Sequence, residues 1–266
     1  MNDKLISLLR DPAGAQPLAL DGDALVNRVS GRRYPIRDSI PVLLDEAELG
    51  PQNRKIQKMY AWMARGFDFV NGIGNFLYLG GVSKLRRQLA AGLGLKPGQR
   101  LLYTSIGTGL DLPFLAEQVR LDLLDFIGLD LSMEMLQKCR AKIGRYTQTA
   151  LLLQANAERL PLADGVFDVA LHVGGINQFD HPAAAVREMA RVVRPGARIV
   201  IVDETPKVIK TQYQGRWNPF TRSTFKGMPV DIDPRAWVPS GVGDVAYQEL
   251  AKGRIYSLSF TLPGKG

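Results

Sequence analysis

Three short segments of this 266-residue chain hold residues whose types and spacing suit ligand chemistry: Ser105-Ile106-Gly107-Thr108-Gly109, Asp130 and Asn156-Ala157-Glu158. Glycine lets backbone approach a ligand with no Cβ in the way. The loop at 105–109 is not a phosphate loop, because no lysine follows it and Leu112 stands where a dinucleotide fingerprint has its third glycine. Asp130 follows Gly109 by 21 positions, and a carboxylate so placed can accept hydrogen bonds from both hydroxyls of a ribose. Its other use would be to cap the next helix, a task open to Ser132 as well. The Asn156 amide offers a donor and an acceptor to an adenine edge. Of the two histidines, His172 ends the run FDVALHV and has the chemistry of a general base, whereas His181 precedes Pro182 and reads as a helix start. The single cysteine, Cys139, excludes an internal disulfide and a four-cysteine zinc site.

These residues need elements to hold them. From Arg100 onward, LLYTSI, DFIGLD, ALLLQA, FDVALHV and ARIVIVDE read as strands. Between them LPFLAEQV, SMEMLQKCRAKI and PAAAVREMARVV read as helices. Alternating βα units predict a parallel sheet with helices on both faces. Ligands on such sheets bind beyond the carboxyl ends of the strands, where all three segments fall. Residues 244–262 give two more apolar runs joined by Lys252-Gly253, the pattern of an antiparallel hairpin at the end of the sheet. Ahead of the core, residues 50–95 show helical spacing of apolar groups, and these helices are expected to cover a site on the sheet. Residues 1–48 are short apolar runs broken by Asp21-Gly22, Ser30-Gly31 and Asp38-Ser39, the pattern of a small β unit with a hairpin at Asp21-Gly22.

With those motifs in order, the series LLYTSIGTG, GLDLSMEML, ANAERLPLADGVFDVAL and EMARVVRPGARIVIVDE resembles the class I S-adenosylmethionine-dependent methyltransferases. It is most similar to their small-molecule, ubiquinone/menaquinone-type branch, over roughly residues 55 to 262. The resemblance implies a Rossmann-like α/β sheet and S-adenosylmethionine as cofactor. Gly107 and Gly109, with Ser105 in the same loop, would face its methionine part. Asp130 would hold the ribose, Asn156 and Ala157 the adenine, and Leu131 would pack on the adenine ring. The helix carrying Tyr60 corresponds to the lid, and His172 lies where a loop approaches the methyl group, which makes it the candidate catalytic residue. No Asn-Pro-Pro-Tyr follows the fourth core strand, which disfavours the amino-methylating DNA and protein-glutamine branches. The chain departs from the pattern at Tyr103, where the family usually has an acid, and at Ser105, where it has glycine. The missing acid normally orients the methionine ammonium, a contact worth ~1.5–3 kcal/mol.

The N-terminal run LLRDPAGAQPLALDGDALVNRVSGRRYPIRDSIPVLL is similar to the Trm112-like zinc-ribbon family, which carries two Cys-x-x-Cys pairs. The corresponding positions are Asp11, Gly14, Asn27 and Ser30, so a degenerate ribbon with no metal is expected. The organisation is then a β-rich domain at 1–48 and a methyltransferase domain at 49–266, split into a helical lid at 49–95 and a core at 96–266.

Composition sets the outer limits. With 45% hydrophobic and 23% charged residues the chain is an ordinary globular protein. No apolar run approaches a membrane span and the N-terminus is too short in apolar residues for a signal peptide, so a cytoplasmic protein is expected. The net charge is +8, with 15 Lys+Arg against 9 Asp+Glu in residues 1–100, but no run of five or six like charges marks a nucleic-acid tail. The expected activity is methyl transfer to a small apolar acceptor, for which the aromatic insert at 213–239, with Trp217, Phe220, Phe225 and Trp237, offers a pocket lining. The alternatives are an RNA methyltransferase, favoured by the basic front half, and a cofactor-binding or scaffolding module without turnover, motivated by Tyr103 and Ser105.

Overall fold

The computed structural model describes residues 2–68, 81–208, 210–211 and 232–264. A short helix α1 (Asp3–Ile6) leads into β1 (Ala19–Asp21), β2 (Ala24–Val26), β3 (Arg33–Arg37) and β4 (Ile40–Pro41), a four-stranded antiparallel meander. The expected hairpin is present, and Gly22 supplies its left-handed residue at φ +62°.

The remaining strands are β5 (Arg100–Thr104), β6 (Asp125–Asp130), β7 (Leu151–Gln154), β8 (Phe167–Val173), β9 (Val193–Glu204), β10 (Gly243–Leu250) and β11 (Ile255–Thr261). They form one seven-stranded sheet in the order β10-β11-β9-β8-β5-β6-β7. Strands β5 to β9 run parallel, and β11 is antiparallel to both β9 and β10. The order reverses at β5, which pairs with β6 on one side and β8 on the other. A crevice opens at the carboxyl ends where a sheet's winding changes direction.

Alternation along the strands divides the core into two layers. Leu102, Ile127, Ala170, Ile199 and Ile201 face one side, where Ala185, Val186, Met189 and Val192 of helix α6 (Pro182–Val192) cover them. Leu101, Phe126, Val169, Leu171 and Val200 face the other, under α3 (Gly81–Gly92), α4 (Leu112–Ala116) and α5 (Met133–Ile143). Helix α2 (Pro51–Met63) lies ahead of these and packs against α5.

The N-terminal meander is continuous with this core. Leu5, Leu9, Leu25 and Leu43 belong to the same buried cluster as Leu153 and Leu160. Leu43 N–H donates to the Gln154 carbonyl at 2.9 Å, and Val42 bridges Gln154 in parallel, so the chain covers the outer edge of β7. At two of the positions that the N-terminal resemblance singles out, Asp11 accepts hydrogen bonds from the Ala13 amide at 2.8 Å, from the Tyr34 hydroxyl at 2.6 Å and from Asn27 Nδ2. Asn27 Oδ1 accepts from the amides of Val29 and Ser30 at 2.9 and 3.2 Å. Burial pushes Asp11 up, but the bonds from Tyr34, Asn27 and Ala13 outweigh it and hold the carboxyl below its ordinary value. No group of three His, Cys, Asp or Glu residues suited to a metal exists among the described residues.

Of the aromatic insert, Trp217, Phe220 and Phe225 lie outside the described residues. Trp237 sits in the turn Pro234–Trp237 and packs on the core layer under α6. Among the described residues no helix is long and apolar enough to cross a membrane.

Candidate functional site

The carboxyl ends of the central strands open into a cavity of about 480 Å³, within the range of small-molecule sites. Ser105, Gly107, Asp130, Leu131, Asn156 and Ala157 all line it, as does Tyr60 from α2. Gly109 lies just behind: a Cβ there, at φ +75°, would meet Leu112 Cδ1 at 2.6 Å and Cys139 Sγ at 3.0 Å. The loop therefore brings α4 and α5 close through a residue without a side chain.

Asp130 ties two loops together. Its Oδ2 accepts from Gly107 N–H at 2.8 Å and its Oδ1 from Ser132 N–H at 2.9 Å. Helix α5 is capped by the Ser132 hydroxyl, which accepts from Met135 N–H at 3.3 Å, leaving the Asp130 carboxylate to the cavity. Burial pushes Asp130 up to about 6, against the opposite pull of the Ser132, Gly107 and Leu131 amides.

The Asn156 loop is gripped from α6. Leu160 N–H donates to Glu188 Oε2 at 2.8 Å, and Arg191 donates to the carbonyls of Leu160 and Leu162, each at 2.8 Å. Arg191 also pairs with Glu188 at 2.6 Å. These two residues, not singled out by sequence, explain how ANAERLPL and EMARVV act together.

The roof is α2, which contributes Ile56, Met59, Tyr60 and Met63, followed by Phe67. Tyr60 meets Phe67 edge-on, with ring centroids 6.1 Å apart. Burial, with the carboxylates of Asp203, Asp130 and Glu204 nearby, pushes the Tyr60 phenol up. The helix start is pinned by Asp180, whose oxygens accept from Gln52 N–H at 3.0 Å and Asn53 N–H at 2.8 Å, while Asn53 Oδ1 accepts from Asp180 N–H at 3.3 Å. Gly50 leaves room for this carboxylate, since a Cβ there would collide with it.

His172 does not join the cavity. It is fully buried, sharing a 2.9 Å hydrogen bond between Nδ1 and the Thr104 hydroxyl and meeting Phe179 edge-on at 5.5 Å. Nε2 is buried with no partner among the described residues, and burial lowers the pKa to about 3. The side chain lies in the core layer between the sheet and α6 and does not reach the cavity, so this geometry does not support the expected catalytic base at this position. Its neighbour Val173 lines the cavity instead. His181 stands at the N-terminus of α6, as expected.

Residues 102–201 match the family model of a methyltransferase domain. The chain is 32% identical over 175 residues to a demethylmenaquinone methyltransferase of Mycolicibacterium vanbaalenii, covering 64% of this chain and 71% of that relative. The chain belongs to the class I S-adenosylmethionine-dependent methyltransferases. A demethylmenaquinone methyltransferase of Corynebacterium kroppenstedtii is 30% identical over 164 residues, which is 61% of this chain and 66% of the relative. The chain thus spans just under two thirds of that protein. In fold, the methyltransferase resembles phosphoethanolamine N-methyltransferase 2 of Haemonchus contortus, with a TM-score of 0.51 and 12% identity over 69% of this chain and 53% of that one.

The cofactor of this class, S-adenosylmethionine, fits the residues present. A carboxylate on the cavity wall suits a ribose diol. Beside it, a Cβ built at Gly107 would meet nothing within 4 Å, so this part of the wall stands open. Neither Tyr103 nor Ser105 closes the cavity, which both of them line.

Proposed function

We propose that this methyltransferase moves a methyl group from S-adenosylmethionine to a small apolar acceptor of the quinol type. One observation carries the reading: a single cavity joins Asp130 and Asn156 at one end to a roof of Ile56, Met59, Met63 and Phe67. The name shared by the Mycolicibacterium and Corynebacterium relatives, demethylmenaquinone methyltransferase, supports an acceptor of this kind. The bound cofactor supplies an electrophilic methyl group on a sulfonium. Asp130 accepts the ribose hydroxyls, and the Asn156–Ala157 loop, held by Glu188 and Arg191, meets the adenine. Leu131 packs beside it and Tyr60 closes over the site. Val173, Phe179 and Ile255 add apolar wall on the side of β8 and β9. In-line displacement depends on alignment, which rigid placement of both partners can supply, and no step uses His172. The N-terminal meander, in this reading, is a metal-free support whose Asp11–Asn27 network stands where a zinc ribbon has its ion.

Calorimetry with S-adenosylmethionine and S-adenosylhomocysteine, followed by incubation with a reduced demethylated naphthoquinone, tests this. Cofactor binding and a product heavier by one methyl group are expected. Binding with no methylation of any quinol supplied would overturn the acceptor assignment, and absence of binding would overturn the whole reading.

A further inference from the structure

The acid that strand β5 lacks at position 103 has a counterpart eight residues on. Tyr103 is fully buried, and its hydroxyl donates to Asp111 Oδ2 at 2.5 Å. Arg86, from α3, donates through Nη1 to Asp111 Oδ1 at 2.5 Å. All three residues line the cavity, and the Arg86 and Asp111 side chains are 20% and 12% exposed. Asp111 occupies the N-cap of α4, yet its side chain makes no cap hydrogen bond. A carboxylate in that position ordinarily turns back onto its own helix; this one is drawn instead to the tyrosine and the arginine. Burial, reinforced by the adjacent carboxylate, pushes the Tyr103 phenol well up, so it remains a donor.

We propose that Asp111 and Arg86 form the subsite for the amino-acid end of the cofactor, with Tyr103 filling the vacated place of the family acid and steering the replacement carboxylate. This rests on the cofactor assignment above. The chemistry is complementary: one anion and one cation side by side face a ligand end that carries one ammonium and one carboxylate. Each Asp111 oxygen spends one lone pair on Tyr103 or Arg86 and keeps another for the ammonium. Arg86 uses one of its terminal nitrogens on Asp111 and retains donors for the ligand carboxylate. The substitution at position 103 is then a relocation of charge rather than a loss of it.

Two ligands separate this subsite from the rest of the pocket. S-adenosylhomocysteine carries the amino-acid end, and methylthioadenosine keeps the adenosine and thioether without it. By calorimetry, Asp111→Asn is expected to weaken S-adenosylhomocysteine about tenfold to a hundredfold and to leave methylthioadenosine within about twofold, since the charge it removes has no contact with that ligand. Arg86→Gln should show the same selectivity, and Tyr103→Phe a smaller loss confined to S-adenosylhomocysteine. Adding Tyr103→Glu to Asp111→Asn should recover affinity for S-adenosylhomocysteine. Equal loss for both ligands, or none for either, in Arg86→Gln and Tyr103→Phe would overturn the proposal even if Asp111→Asn fails to fold. A wild-type protein that binds neither ligand would overturn the cofactor assignment and this subsite with it.

Discussion

At the scale of single residues, Asp130 carries an ionisation that the site can feel. Its native value of about 6 lies above the ordinary 3.8 because burial opposes the charge. The charged form is the better acceptor for a ribose diol, so affinity for S-adenosylhomocysteine should rise as pH climbs through 6 and level off above it. Asp130→Asn should bind more weakly and lose that dependence, which calorimetry between pH 5 and pH 8 would show. Ser105 makes a second case. It holds φ +56°, a left-handed conformation costly for a residue with a Cβ, at the position where the family has glycine. Ser105→Gly should therefore raise the melting temperature, by an amount equivalent to up to about 1 kcal/mol after the extra freedom of the unfolded glycine is deducted. Both residues were readable because they lie in a continuous motif. Asp111 and Arg86 were not, since 25 residues separate them and only the packing of α3 on α4 brings them together. His172 was misread for a different reason. Its place at a strand end was right, but strand parity puts Ala170 and His172 on the inner side and Val173 on the cavity.

At the scale of elements, the roof helix is held at its N-terminus by one carboxylate from across the chain. The first amides of a helix have no intrahelical acceptor, and Asp180 takes two of them. Asp180→Ala should cost α2 about 1 kcal/mol, seen as faster amide exchange over residues 51–63, and should weaken ligands that need the roof. Unchanged exchange there would show that packing on α5 alone holds the helix. The helix itself was visible in its apolar spacing, whereas its latch lies 127 residues away and left no local pattern. The sheet was more legible. Each core strand stood out as a β-rich apolar run, because a strand covered on both faces needs little polar interruption.

At the scale of the molecule, the buried His172 makes stability depend on pH. The unfolded chain protonates it near 6.5, the native protein only near 3. Between those values the unfolded state binds more protons, so this residue's contribution falls as pH drops from 6.5 towards 3. Asp130 acts with the opposite sign, because the native state holds its proton up to about 6 and the unfolded state only up to 3.8. His172→Gln should therefore make denaturant midpoints less sensitive to acidification below pH 6.5, with Asp130→Asn changing the slope the other way. The split into residues 1–48 and 49–266 was drawn from turn-broken apolar runs and the two family resemblances, and neither can show that Leu5, Leu9, Leu25 and Leu43 share a core with the large sheet. Removing residues 1–48 should leave an aggregating protein, as β7 would then present an open edge beside uncovered leucines, and light scattering during refolding would report it.

Gln154 gives that attachment a reach beyond stability. Its carbonyl receives Leu43 N–H, and its side-chain Nε2 donates to the Leu131 carbonyl at 3.1 Å, the same oxygen that Gln57 of α2 approaches at 3.4 Å. One glutamine thus wires the front of the polypeptide to the cavity wall at Leu131 and, through that carbonyl, to the roof helix. A disturbance at the β7 edge of the sheet would travel through those two hydrogen bonds and arrive as slack at Leu131.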